Sequence, residues 1–557
     1  MKNRIFFTPL VLSLLPMLTV IFCFILPYAA SFAPAISSIG TSVNQNSFAE
    51  LWKNSGLSEV TLFTLKQAFL SVLVSLALGL PGAWLIGSGR SRFSPLLRSL
   101  TAIPFAMPSI LVVLGFVLFF GNSGWLNRII MALNGSGEIP LRILYKPGAI
   151  ILAHSFFNFP LVIRLVGDGL DRARRAYTPA ASSLGASPLK ITLTILLPLS
   201  IPSLVSASLL VFLYCFTSFA VVLVLGGGPA ASTLAVEIYR HARVFLDYKN
   251  AGVLAIVETL IAISVFTGYL FFTRKASGNK TDVNERAAEN NRKIYGNEKI
   301  VTRFTAIIYG LVLFIFVLGP LLSIPVESFL DRPSRSAAQV FSPRWWLSLN
   351  ETFLPALFRS LALAFLSATA ACILAVLAAG AVKLLEMSGK RNSLFANFIR
   401  FLSAAPLVSS GIVLGLGWMV LYGRSFFRMP AALVLLHATA ALPFAFNFIS
   451  EGFRSLPANT MNAAAVSGAS PFWGLLTCAL PLSLPRIRSA WGFAAALSLG
   501  ELNAVMMLGV EWETLPLYIY RAVGAYRYST ACAAGTMLIL CCAAGFLLSE
   551  IGRKKYA

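Results

Sequence analysis

Basic and polar loops divide this chain into apolar runs, each long enough to cross a bilayer, and that leaves few folds open to it. A spanning helix needs roughly 20 apolar residues, and inside lipid the backbone must satisfy its own hydrogen bonds. Such runs fall at about residues 5–28, 60–86, 100–120, 147–165, 196–224 and 252–272. After a polar interruption they resume at about 304–328, 354–386, 400–421, 429–449, 476–508 and 530–549. The expected fold is an all-α integral membrane protein with about 12 transmembrane helices. The first run follows a basic start (Met1 to Arg4) and is long for a cleaved signal core, although the Ala-Ala-Ser-Phe-Ala stretch from Ala29 would suit cleavage.

Composition agrees: 57% of residues are hydrophobic and only 12% charged, which excludes an ordinary soluble domain. The formal net charge of +23 does not indicate a nucleic-acid partner. The basic residues gather in short loops, such as Arg90, Arg92 and Arg98 or Arg172, Arg174 and Arg175, as orientation signals do. Residues 274–303 hold eight Lys or Arg and four Asp or Glu among polar residues, and read as a solvated linker. The expected division is a first six-span half (1–273), the linker (274–303) and a second six-span half (304–557). The positive-inside rule puts the linker, both termini and the tail Arg553-Lys554-Lys555 in the cytoplasm. The polar segment 38–58 should lie outside. The setting is a cytoplasmic membrane, with lipid around the bundle.

The two halves repeat one another. Gly185-Ala186-Ser187-Pro188, leading to Leu197-Pro198-Leu199-Ser200, recurs 283 residues later as Gly468-Ala469-Ser470-Pro471 and Leu480-Pro481-Leu482-Ser483. His154 and His437 share the same offset. Ala68-Phe69-Leu70-Ser71 also recurs as Ala364-Phe365-Leu366-Ser367, and Tyr239-Arg240 as Tyr520-Arg521. An even number of spans per half gives both copies one orientation: two parallel six-helix repeats, with the transport path between them. Within each copy, Gly185 or Gly468 permits positive φ. Ser187 or Ser470 stands where an N-cap belongs, with Pro188 or Pro471 at the first helical position. The helix that follows should run about ten residues before Pro198 or Pro481 interrupts it. Ala180-Ala181 and Ala463-Ala464 let the short helices on either side pack closely. Each copy is thus a helix–turn–helix elbow, or on the blander reading an ordinary capped surface loop.

The elbows resemble the cytoplasmic coupling loop of ABC importer permeases, whose pattern is Glu-Ala-Ala, three residues, Gly, nine residues, Ile-x-Leu-Pro. The first copy reads Pro179-Ala180-Ala181, Gly185, Ile195, Leu197-Pro198; the second reads Asn462-Ala463-Ala464, Gly468, Cys478, Leu480-Pro481. Both lack the glutamate, and the second has Cys in place of Ile. The resemblance implies the ABC importer permease fold. It makes Ala180, Ala181, Gly185, Ser187, Pro188, Ala463, Ala464, Gly468, Ser470 and Pro471 the residues that couple to ATPases. Within the family the chain is most similar to fused two-half permeases of thiamine and ferric-iron importers. Gly226-Gly227-Gly228-Pro229 with Thr233-Leu234, Thr514-Leu515-Pro516 and the stretch from Leu152 to Pro160 carry that likeness. It implies import of a small cationic solute delivered by an extracytoplasmic solute-binding protein. Gly278-Asn279-Lys280-Thr281 and Gly389-Lys390 lack the upstream glycine of a phosphate loop. The chain is therefore expected to be a transport subunit without cofactor, ATP being held by two separate ATP-binding subunits, one per elbow.

Few other residues suggest chemistry. The seven cysteines lie in or beside apolar runs without metal-ligand spacing, so no metal site is expected. The histidines suit packing better than catalysis. Ionisable groups within spans are costly and usually face a cavity or a partner. Glu501 is the most informative; its repeat equivalent is Ser218, and Asn503 follows closely. These three are the candidate path residues, against the alternative that Glu501 pairs with a neighbouring span. Glu258 and Lys66 also fall inside predicted spans. A secondary carrier of two six-span halves would share the repeat and the linker, but it needs no paired docking loops.

Overall fold

The computed structural model describes residues 2–41, 56–87, 107–135, 138–226, 228, 231–278, 300–331, 340–349, 351–387, 393–426, 429–457, 459–508 and 512–551. The central linker (279–299), the basic loop with Arg90, Arg92 and Arg98, most of the outer segment 38–58, Gly227, Pro229 and the tail Arg553–Lys555 lie outside these residues. Among the described residues the fold is all-α apart from one antiparallel pair of two-residue strands, Leu330–Asp331 with Val340–Phe341.

Among the described residues, ten helices are long and apolar enough to cross a membrane. The pair Leu394–Val408 and Gly411–Gly423, bent by 102°, makes an eleventh if taken as one span. Two expectations change here. The predicted span 400–421 is not straight: a 3₁₀ turn at Ala405–Val408 and an extended Ser409 separate its two parts, at a place marked in the sequence by Pro406 and Ser409-Ser410-Gly411. The predicted span 476–508 is divided as well. Ser483 leaves the helical track (φ −92°, ψ 2°) ahead of Pro485, which has no N–H to continue the ladder. The next helix, Leu484–Gly500, ends at Glu501.

Small side chains hold the centre together. The Phe353–Met387 helix buries Ala356, Ala364, Ala368, Ala371, Ala375 and Ala378, so neighbouring backbones approach closely, which is how helices associate where no hydrophobic gradient drives them. The large apolar residues turn outward instead. Leu10, Val11, Leu14 and Leu15 of the first helix are exposed, as are Ile307, Leu311 and Ile315 of the Ile300–Glu327 helix.

The first helix of each half packs on the other half. Lys2–Val20 lies along Phe353–Met387, and its continuation Leu26–Ala30 lies on Gly411–Phe426; Ile300–Glu327 lies along Ser109–Phe120. The first of these crossings rests on a defect in the helix. Pro27 cannot donate to the Cys23 carbonyl, and the π-turn Ile21–Ile25 sends the Leu26 N–H to Ile21, freeing the carbonyl of Phe22. Trp418 Nε1 donates to Cys23 O (2.8 Å) and the Tyr422 hydroxyl to Phe22 O (2.6 Å), so both freed acceptors are satisfied from the opposite half. Gly417 sits at the contact, where a Cβ would collide with the Pro27 carbonyl; Gly115 stands likewise against the Pro320 carbonyl. We therefore expect Gly417→Ala to force the helices apart at a cost of about 3 kcal/mol. Gly310→Ala, with nothing within 4 Å, should be neutral. Thermal unfolding of the detergent-solubilised protein checks this, and equal melting temperatures for the two variants would contradict it.

Candidate functional site: paired elbows and a broken-helix centre

The two elbows close with the same hydrogen bonds. In the first, Gly185 N–H donates to Ser182 O (3.0 Å) and Ala186 N–H to Ala181 O (3.1 Å). In the second, Gly468 N–H donates to Ala465 O and Ala469 N–H to Ala464 O, both at 3.0 Å. This six-to-one closure needs a left-handed residue, and Gly185 (φ 77°) and Gly468 (φ 84°) supply it. Ala180 and Ala463 accept from the N–H groups of Leu184 and Ser467 one step earlier. Ser187 Oγ then accepts from Lys190 N–H and Ser470 Oγ from Trp473 N–H, with Pro188 and Pro471 opening the next helix.

That helix does not end at the following proline. It runs into π-turns at Thr192–Leu196 and Leu475–Ala479. The wider turn makes room for the rings of Pro198 and Pro481, so the chain continues to Phe216 in the first half and to Leu482 in the second. Upstream the copies differ. Ala180-Ala181 end a single long helix, Pro147–Ser183, whereas Ala463-Ala464 lie on a separate short one, Asn459–Val466. In the second copy Ala464 faces Gly474, the close packing that small residues suggest. The helices flanking each elbow cross at corresponding points, Gly169 against Ser203 and Gly452 against Arg486.

Both elbows carry apolar side chains that none of the described residues covers. Leu184 is 87% exposed, Leu189 69%, Val466 89% and Trp473 58%.

Deeper in the bundle, the helices that leave the elbows break. Leu197–Phe216 gives way to Ala220–Leu225 across Thr217–Phe219, and Leu484–Gly500 to Asn503–Leu508 across Glu501–Leu502. Broken helices at mid-depth are tolerated where backbone lines a cavity or faces protein. Glu501 is partly exposed and caps the second half-helix, its Oε1 accepting from Ala504 N–H at 3.0 Å. A Cβ on Gly411 would lie 3.5 Å from that oxygen and 3.2 Å from Asn503 Cβ, so the Ser409–Gly411 break meets the Glu501 break. Pro108 of the first half touches Gly500, which puts this centre at the contact between halves. The structure thus brings Glu501 and Asn503 together. Ser218 occupies the corresponding break of the first half, partly exposed and, among the described residues, not bonded to either.

His154 and His437 are enclosed, with Nδ1 of His154 3.3 Å from Ser71 Oγ and Nδ1 of His437 2.8 Å from Ser498 Oγ. Lys66 projects outward and is exposed. Sequence reasoning missed the bend at Ser409–Gly411 and the uncovered apolar residues of the elbows. The first was signalled by Pro406 and the Ser-Ser-Gly run, the second by Leu184, Leu189 and Trp473 standing in otherwise polar turns.

A many-helix bundle of this kind, with paired elbows and broken helices at its centre, fits the permease of a binding-protein-dependent ABC importer, a class of multi-pass proteins of the bacterial inner membrane. Residues 79–274 match the family described as binding-protein-dependent transport system inner membrane component, and the chain has the size of a fused two-half permease. It is 29% identical over 491 residues to the thiamine transport system permease protein of Brucella suis biovar 1 (strain 1330), covering 87% of this chain and 85% of that protein. It is 25% identical to the thiamine transport system permease protein of Escherichia coli (strain K12), covering 92% and 91%. A putative 2-aminoethylphosphonate transport system permease protein of Salmonella typhi is 27% identical over 47% of this chain but 90% of its own length. These matches favour the permease over the two-half secondary carrier.

Proposed function

We propose that this chain is the translocating subunit of a thiamine importer, carrying the cation from an extracytoplasmic solute-binding protein into the cytoplasm. Two separate ATP-binding subunits drive it, one seated on each elbow, and the chain itself hydrolyses nothing. The observation that carries this reading is the pair of elbows, 283 residues apart, with matching glycine conformations, caps and uncovered apolar residues. Two equal docking features on one chain suit two equal partners. The elbows and both termini then face the cytoplasm, and the halves stand as parallel repeats about an axis along the membrane normal. Thiamine, rather than ferric iron, is favoured by the names of the full-length relatives.

In this mechanism the short helices after Gly185 and Gly468 sit in grooves of the ATPases. When the ATPases close, the elbows move together, and the continuous helices leaving them pull on the breaks at Thr217–Phe219 and Glu501–Leu502. Movement of these breaks opens the centre between the halves, where Glu501, Asn503 and Ser218 line the way. Purified permease with its ATPase and binding protein in proteoliposomes should accumulate labelled thiamine only with ATP, and mass measurement should give two ATPases per permease. A single ATPase per chain, or thiamine uptake indifferent to ATP, would refute it.

A further inference from the structure

Glu258 lies on Tyr248–Gly278, the last helix of the first half, and is only 1% exposed. Neither of its carboxylate oxygens has a hydrogen-bond partner of good geometry. Its helix packs on the Ala405–Val408 turn of the other half, where the hydroxyl of Ser410 neighbours the carboxylate. Ser410 Oγ accepts from Val413 N–H at 3.2 Å, which leaves its hydrogen directed elsewhere. The neighbouring Thr259 bonds the Tyr28 hydroxyl (2.9 Å), fixing this stretch against the first helix where it wraps the second half. Among the described residues, no Lys or Arg forms an ion pair with Glu258 or Glu501.

The two carboxylates thus reach consecutive residues of one break: Glu258 reaches Ser410, and Glu501 lies against Gly411. They come from opposite halves. Both stand at the N-terminal end of the Gly411–Phe426 helix, whose free N–H groups favour negative charge. The opposite break is built without charge. There Pro108 precedes the corresponding helix, Ser218 stands for Glu501, and Leu538, fully buried, occupies the place of Glu258 when Tyr248–Gly278 and Tyr528–Ile551 are aligned from their first residues. An unpaired buried carboxylate costs several kcal/mol, and simple packing is already achieved by leucine at the equivalent position.

We infer that Glu258 and Glu501 together form one cation site, contributed by both halves and seated on the Ser409–Gly411 break, where an organic cation is held during passage. This rests on the import reading above, with thiamine as the cation. Separation of the halves uncovers Glu258, and their return to contact presses the site shut and expels the charge. One carboxylate from each half makes the affinity depend on the distance between halves, which the ATPases control.

The test uses the complete complex in proteoliposomes. Glu258→Gln should lower thiamine uptake at least tenfold, while the ATPases still co-purify and the loaded binding protein still stimulates hydrolysis. Glu258→Asp should keep most of the uptake, and the double Glu258→Gln, Glu501→Gln variant should be no worse than the poorer single. Wild-type uptake by Glu258→Gln, or a loss shared with assembly, would overturn the inference. A second measurement needs neither thiamine nor a Glu258 variant that folds well. Ser410→Cys in a cysteine-free background should react during ATP turnover at least tenfold faster with a cationic thiosulfonate than with an anionic one of equal size. No reaction in any state, or no preference for the cation, would overturn the site. If wild type fails to carry thiamine while the preference holds, the substrate assignment fails and the site stands.

Discussion

Replacing both Gly185 and Gly468 by valine should abolish ATP-driven uptake, lowering it more than a hundredfold, while the membrane bundle stays folded. Each glycine lies in the left-handed region, and a Cβ at either would meet nothing within 4 Å. The penalty is therefore one of backbone conformation, about 1–2 kcal/mol for a residue with a Cβ and more for a β-branched one. The cheapest relief is to unwind the turn, which removes the Ala186-to-Ala181 and Ala469-to-Ala464 bonds and swings the capped helices out of register with their partner. The ATPases should dissociate, or hydrolyse without transport. Gly135→Val is the control, because Gly135 has a comparable φ of 63° and equally open surroundings but ends a different helix, Trp125–Asn134. Co-purification, hydrolysis and uptake are read together. Normal transport by the double variant would remove the elbows from the mechanism, and equal loss in the Gly135 variant would show that strain alone was responsible.

Glu501→Gln should cut thiamine uptake about tenfold or more and leave assembly with the ATPases intact. The substitution separates two roles of one side chain. The amide oxygen of glutamine still accepts from Ala504 N–H, so the cap on Asn503–Leu508 survives, whereas the negative charge is gone. Glu501→Ala removes both, and the lost cap alone costs about 1 kcal/mol. The alanine variant should accordingly lose thermal stability as well as uptake. If glutamine transports at the wild-type rate and alanine fails, Glu501 is a helix cap and nothing more. If glutamine loses the complex, the carboxylate is structural.

Much of this fold is legible in the sequence because the bilayer imposes simple rules. An apolar run such as 354–386 has no alternative to a helix in lipid, and the Phe353–Met387 helix follows it almost to the residue. The elbows are legible for a local reason: glycine, serine and proline act through their own φ angles and nearest N–H groups, so Gly185-Ala186-Ser187-Pro188 specifies its turn without help from the rest of the chain. The prolines after the elbows were the local signal that misled. Pro198 and Pro481 suggest helix ends, but a π-turn makes room for the ring and the helix runs on.

What the sequence by itself determined, then, is what depends on neighbours along the chain or on the solvent: helical spans, their number to within one or two, and two matched elbows. Tertiary structure alone decided which carbonyls freed near Pro27 would be met by Trp418 and Tyr422, 395 and 400 residues away. It also decided that Glu258 and Glu501 would reach the same Ser410-Gly411 step from opposite halves. Those contacts follow from the crossing of helices at glycines such as Gly417. Van der Waals packing between lipid-facing helices sets that crossing, and hydrophobicity, uniform along these spans, carries no information about it.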